Sequence, residues 1–269
     1  MLKRLDRRDQ DWYRKHAPKA ELLPYDVTCL SDYFLLLDGF LSARSDTFWY
    51  RGHADGSWRL CPNALRLREL PRRARAIDLL AEFRRLALLR LPRDDRPPYQ
   101  DMLQWLGLAQ HYGLPTRLLD WTENPAIALY FAVLSPDLHG AVILMNPIEL
   151  NRRATRQPRV FDNTHDADLL SKYLNLGAKQ DARGPRTVAV HPVYNTPRII
   201  AQKGAFTLHG SRQFDLDKQQ APSLVCIPIL PDRKRKLAVE LSRIGVDEMT
   251  IFPETEHLCA HLRRSAELA

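Results

Sequence analysis

The chain has 269 residues, of which 45% are hydrophobic and 27% charged, ordinary globular usage that excludes wholesale disorder, collagen-like repeats and coiled-coil architecture. Lys and Arg number 40 against 32 Asp and Glu, a formal charge of +8. No apolar run approaches the roughly 18 to 20 residues that span a bilayer, and Met1 to Gln10 is too charged for a secretory signal, so a cytoplasmic location and no membrane partner are expected.

Residues 1–30 carry seven Lys or Arg by position 19 and read as a basic arm or extension. Leu35 to Leu41 and Thr47 to Tyr50 are short apolar runs bracketed by Ser, Asp and Gly, which predicts a helix leading into a strand that ends at Arg51-Gly52. From about Ala74 to Leu91, Ile77, Leu80, Phe83, Ala87 and Leu91 recur at helical steps between arginines. The stretch Arg66 to Arg96 holds ten arginines against five acids, a charge run that suits either a solvated helix face or attraction to nucleic acid. Asp101 to Tyr112 resumes helical spacing until Gly113, and Pro125 to Leu134 is a further helix with Asn124 as its N-cap.

The second half reads more as sheet. Ala141 to Met145, Thr187 to Val190, Ile199 to Ala201, Ala205 to Leu208, Leu224 to Ile229 and Met249 to Phe252 are apolar or β-branched runs between polar loops, with Asn151 to Gln157 and Gln180 to Arg186 as polar connections. Leu237 to Gly245 and Glu254 to Arg264 read as helices. Helices weighted toward the first half and strands toward the second predict a compact α+β fold with a mixed or antiparallel sheet. Cys29, Cys61, Cys226 and Cys259 have no C-x-x-C spacing, so free buried thiols are expected rather than disulfides. His53, His111, Asp120 and the His165-Asp166 pair lack metal-ligand spacing, and no metal site is expected. Phosphate-binding glycine loops are absent from the sequence.

Two stretches stand out chemically. In Phe48-Trp49-Tyr50-Arg51-Gly52-His53 a charged arginine closes an aromatic strand, where its planar fork suits an anion and Gly52 lets a ligand approach the backbone. Gln110 to Pro125 is a dense polar sequence between two apolar helices, read as a loop. Within it Trp121 and Leu118 suit packing, while His111, Tyr112, Thr116 and Asp120 suit a ligand site. A plain alternative is an Arg117 to Asp120 ion pair with Thr122 or Asn124 capping the next helix.

Tyr50-Arg51-Gly52, the run from Gln110 to Thr122, Asn124-Pro125, Ala128 to Ala132 and Ala201 to Phe206 together resemble the bacterial FRG-domain family, named for its Phe/Tyr-Arg-Gly motif. The resemblance covers about residues 30 to 265 and implies an FRG domain over 31–269, in a family associated with toxins and phage defence. A more distant similarity, in the order of motifs, is to the ADP-ribosyltransferase superfamily: Arg51, then Pro115-Thr116-Arg117 before Ala128 to Ala132, then Gln202 before Gly204-Ala205-Phe206. It implies a transferase-like core that uses NAD as substrate. Under it Asp120, Gln202 and His111 are the catalytic candidates, and Arg51, Gly52, Tyr112, Thr116, Arg117 and Asn124 the cofactor-binding ones. Gln202 stands where that superfamily has a Glu, which leaves Asp120, Glu123 or Glu254 to supply a carboxylate. The other reading is a non-catalytic sensor of a nucleotide ligand, and the implied partners are a nucleic acid or a protein acceptor.

Overall fold

A computed structural model describes residues 2–42, 44, 47–174, 176–193, 196–219 and 224–266. The chain begins with helix α1 (Arg7–His16), strand β1 (Glu21–Leu22) and α2 (Leu30–Leu41), then β2 (Trp49–His53). The short α3 (Asn63–Arg66) precedes α4 (Leu70–Ala87) and α5 (Met102–His111), which lead into β3 (Leu118–Thr122), α6 (Pro125–Val133) and β4 (Gly140–Met145). Next come α7 (Pro147–Thr155), α8 (Ala167–Leu174), β5 (Val188–Val190), α9 (Pro197–Ala201) and β6 (Gly204–Leu208). The chain continues through β7 (Val225–Ile229), α10 (Pro231–Arg243), α11 (Glu248–Ile251) and α12 (Thr255–Ser265). The strands form one seven-stranded sheet of order β1-β7-β4-β2-β3-β6-β5. Among the pairs of described strands only β1 and β7 run parallel, so the sheet is mixed and the class is α+β.

The pairing along the sheet is uneven. β2 is matched residue for residue with β4, from Trp49 opposite Met145 to His53 opposite Ala141, and β3 is matched likewise with β6. Between β2 and β3 the register has one pair, Tyr50 opposite Thr122. The strands then diverge, so the sheet is nearly divided into a four-stranded and a three-stranded part. One face packs α2, α6 and α10 through Leu36, Phe40, Ala128, Leu129, Leu237 and Leu241. Helix α5 lays Leu103 and Leu106 against Leu118, Phe206 and Leu208.

The basic N-terminal segment is docked on this body. Tyr13 is 2% exposed, its hydroxyl donating to the carbonyls of Gly140 and Ile229, and β1 adds to the sheet edge beside β7.

Several expectations change. Residues 118–122, read as part of a polar loop, form a central strand, because Leu118, Leu119, Trp121 and Thr122 are buried and Asp120 alone is exposed. Ile199 to Ala201 and Met249 to Phe252, read as strands, lie in or at the end of helices. Pro197 and the Thr196 side chain start α9, and a capping box between Asp247 and Thr250 starts α11, so local capping overrides β-branched propensity. Asn151 to Thr155 is helical, and α4 begins at Leu70 and ends at Ala87, earlier than the Ala74 to Leu91 spacing suggests. The four cysteines are free, but only Cys61 and Cys226 are buried. Among the described residues no helix is long and apolar enough to cross a membrane.

Candidate functional site

Where β2 and β3 part, a cavity of about 390 Å³ opens, within the range of small-ligand sites. The strands supply Arg51, Gly52, Leu118 and Asp120; α5 supplies Gly107, Gln110 and His111; α6 supplies Phe131. Arg198 and Gln202 from α9 and its cap, with Phe252 after α11, line another part. Trp58 and Leu134, 44% and 51% exposed, give it solvent-facing apolar surface.

Arg51 is the polar centre. Its Nε donates to His53 Nε2 at 3.1 Å and its Nη1 to the Asp120 carbonyl at 2.5 Å, across the gap where ladder hydrogen bonds are missing. The side chain is 18% exposed, and burial lowers the guanidinium's proton affinity while the Asp120 carboxylate raises it. His53 must accept from Arg51, so it is neutral there; burial, Arg51 and Arg66 all hold its pKa well below the ordinary value. Its Nδ1 is buried without a partner among the described residues.

Asp120 is reached from the other side by a relay through the motif. Leu118 N donates to Thr116 Oγ1, the Thr116 hydroxyl donates to Gln110 Oε1, and Gln110 Nε2 donates to Asp120 Oδ1 at 2.6 Å. The second carboxylate oxygen stands 3.9 Å from Arg51 Nη1, and the side chain is 61% exposed. Thr116 therefore reaches the cavity only through Gln110, a residue that sequence reasoning passed over although it opens the same motif.

The structure brings Arg51, Gly52, His111, Asp120 and Gln202 together and leaves Tyr112, Thr116, Arg117 and Asn124 outside the cavity lining. Tyr112 caps α5 and is 59% exposed. Arg117 does not pair with Asp120. It is buried and donates to the carbonyls of Leu176, Gly177 and His209, stapling the loop after α8 to the sheet. Asn124 caps α6 by accepting from Ala126 N at 2.9 Å. Gly52 does not make room for a ligand alone: a Cβ there would lie 1.9 Å from the Ala128 carbonyl oxygen, so the glycine seats α6 on β2.

Gln202 caps α9. Its carbonyl accepts from Thr122 Oγ1 at 2.7 Å, and its amide donates to the Ile251 carbonyl at 3.4 Å. The next residue, Lys203, has φ +43, a strained conformation for a residue with a Cβ, and it sits beside two cavity residues. Arg198 Nε donates to Glu254 Oε1 at 2.6 Å, and Glu254 Oε2 is buried with no partner among the described residues. Burial pushes the Glu254 carboxyl up, but the Arg198 hydrogen bond and charge, the backbone hydrogen bond at Glu254 and the His111 charge together outweigh it, and the net shift is downward. Burial and the Arg198 charge lower His111, with Glu254 opposing them. Glu123 is exposed in the turn between β3 and α6.

No curated protein and no solved structure matches the chain. The model of the FRG domain family matches residues 46–140, which contain β2, α5, β3 and α6 and hence Arg51, Gln110 and Asp120, while Arg198, Gln202 and Phe252 lie beyond it. The chain carries an FRG domain, and the two motifs by which it resembles that family meet at the parting of β2 and β3.

Proposed function

We propose that the cavity binds a nucleotide, that NAD is this ligand, and that the protein transfers ADP-ribose to a protein or nucleic-acid acceptor. One observation carries the reading: Arg51 and Asp120, about 70 residues apart in sequence, line one cavity with hydrogen-bonding capacity left over. Arg51 Nη2 has no partner among the described residues and suits a phosphate oxygen. The aromatic side chains of Trp58, Phe131 and Phe252 suit flat rings.

In this reading Asp120 faces the ribosyl carbon, stabilises positive charge as the bond to the nicotinamide nitrogen breaks, and takes the proton of the incoming acceptor group. Nicotinamide leaves with the bonding electron pair. Gln110 fixes the carboxylate, and His111 and Gln202 contribute polar groups to the cavity. Glu254, held by Arg198, is the second carboxylate of the neighbourhood. A role in toxin-type phage defence accords with the family resemblance. Calorimetry with NAD, ADP-ribose and ATP, followed by an assay of NAD consumption with cell extract, tests it. Binding with consumption supports the transferase; binding without consumption, which Gln202 in place of a Glu would favour, makes the site a sensor. Absence of binding by all three nucleotides refutes both.

A further inference from the structure

The stripe that α5 turns to the cavity contains a glycine with no evident reason to be one. Gly107 lies inside the helix, where glycine is the least favourable residue after proline. Its φ is not positive; among the described glycines only Gly113 and Gly245 have that conformation. A Cβ at Gly107 would meet nothing within 4 Å, whereas one at Gly52 would strike α6. Neither backbone conformation nor packing asks for glycine here. The open space is the cavity itself, since Gly107, Gln110 and His111, spaced three and four residues apart on one helix face, all line it.

α6 contributes Phe131 to the same cavity, and Phe252 meets Phe131 edge to face, with centroids 6.0 Å apart and an interplanar angle of 89°. At the polar end, Gln110 Oε1 is taken by Thr116 and its amide by Asp120. Beside Gln110 the Asp120 carboxylate keeps lone pairs to spare, and it can only accept. We infer that the cavity holds a slot for a planar aromatic ring that lies against the α5 backbone at Gly107 and turns a hydrogen-bond-donating edge, an amide or amine, toward Asp120. The inference rests on the nucleotide reading only for what the ring is attached to.

Isolated rings test the slot directly. Saturation-transfer NMR is run with nicotinamide, with nicotinate, whose carboxylate cannot donate, and with the non-planar cyclohexanecarboxamide, on wild type, Gly107→Ala and Gly107→Leu. Wild type should bind nicotinamide in preference to the other two, and Gly107→Leu should weaken that binding by about tenfold or more, the scale at which pockets reject added bulk. Gly107→Ala should raise the melting temperature by about 2–4 °C while binding the ring less well. Equal binding of cyclohexanecarboxamide or nicotinate, no ring binding by wild type, or ring binding indifferent to Gly107→Leu overturns the slot. A nucleotide that binds wild type and Gly107→Leu equally overturns the slot and leaves the nucleotide reading standing. Ring binding lost in Gly107→Leu, with no nucleotide bound by wild type, does the reverse.

Discussion

Arg51 on β2 donates a hydrogen bond to the main-chain carbonyl of Asp120 on β3 at 2.5 Å, so a side chain joins the two strands where their backbone ladder has ended. The same guanidinium thus braces the sheet and presents charge to the cavity that the divergence creates.

From this dual role a prediction follows for Arg51→Lys. Lysine keeps the charge but loses the planar fork, and cannot serve His53 Nε2 and the Asp120 carbonyl together in the observed geometry. Stability should fall by about 1 kcal/mol, the net worth of an internal hydrogen bond, and nucleotide affinity by about tenfold or more, as expected for loss of a charge-assisted pair. Denaturant unfolding and calorimetry read the two effects separately. Unchanged affinity in the variant would remove Arg51 from the ligand site.

The neighbouring glycine should behave in the opposite way. Gly52→Ala places a methyl group 1.9 Å from the Ala128 carbonyl oxygen and 2.7 Å from Ala132 N, both main-chain atoms of α6 that cannot swing aside. A loss of about 3 kcal/mol or more is expected, at the upper end of overpacking costs. Gly39→Ala is the control. A Cβ there meets nothing within 4 Å in α2, so it should be neutral or stabilising by up to about 1 kcal/mol. Equal urea midpoints for wild type and Gly52→Ala would contradict the close seating of α6.

How much of this was legible in the sequence differs element by element. The Asn124-Pro125 start of α6 and the Asp101 start of α5 were readable because a cap and its helix are neighbours in the chain. Strand β3 was not, since Thr116, Arg117 and Thr122 look like loop residues until their partners are known. Arg117 donates to carbonyls 59 and 60 residues away and Thr122 to one 80 residues away, distances that no local pattern reports. The convergence of Arg51 and Asp120 was inferable from two polar motifs in an otherwise ordinary core. Which side of each motif faces the cavity was not, because that depends on the divergence of β2 from β3, and so Gln110 and Gly107 were passed over.

Acid sensitivity should have a traceable source in His209. Trp121 Nε1 donates to Thr207 Oγ1, the Thr207 hydroxyl lies 3.0 Å from His209 Nε2, and His209 Nδ1 lies 3.0 Å from the Phe214 carbonyl. A neutral ring protonated on Nδ1 satisfies the whole chain, and burial above all holds the pKa down at about 3 from the ordinary 6.5. Below 6.5 the unfolded chain takes up a proton that the folded ring refuses until about 3. Stability is therefore lost as pH falls through that window, by up to about 1.4 kcal/mol per pH unit from this group. His53 acts in the same direction. His209→Asn, whose amide can donate to the Phe214 carbonyl, should flatten the slope of unfolding free energy between those limits. An unchanged slope would assign the acid sensitivity to other groups.

Asp120→Asn separates transferase from sensor. The asparagine keeps the size of the side chain, can still accept from Gln110 through its oxygen, and leaves the main-chain carbonyl that Arg51 holds untouched. The architecture of the cavity should survive, with a melting temperature within a few degrees of wild type. What disappears is the negative charge on a group that is 61% exposed and lines the cavity. If the protein transfers ADP-ribose, turnover of NAD should drop by about a hundredfold or more, the usual worth of a positioned acid or base, while the nucleotide still binds. A sensor should lose only the contribution of one hydrogen-bonding edge, a change of about tenfold or less in affinity. Retained turnover in Asp120→Asn would move the catalytic carboxylate elsewhere, and Glu254 is then the group to replace, since its Oε2 is buried without a partner beside His111 and Arg198.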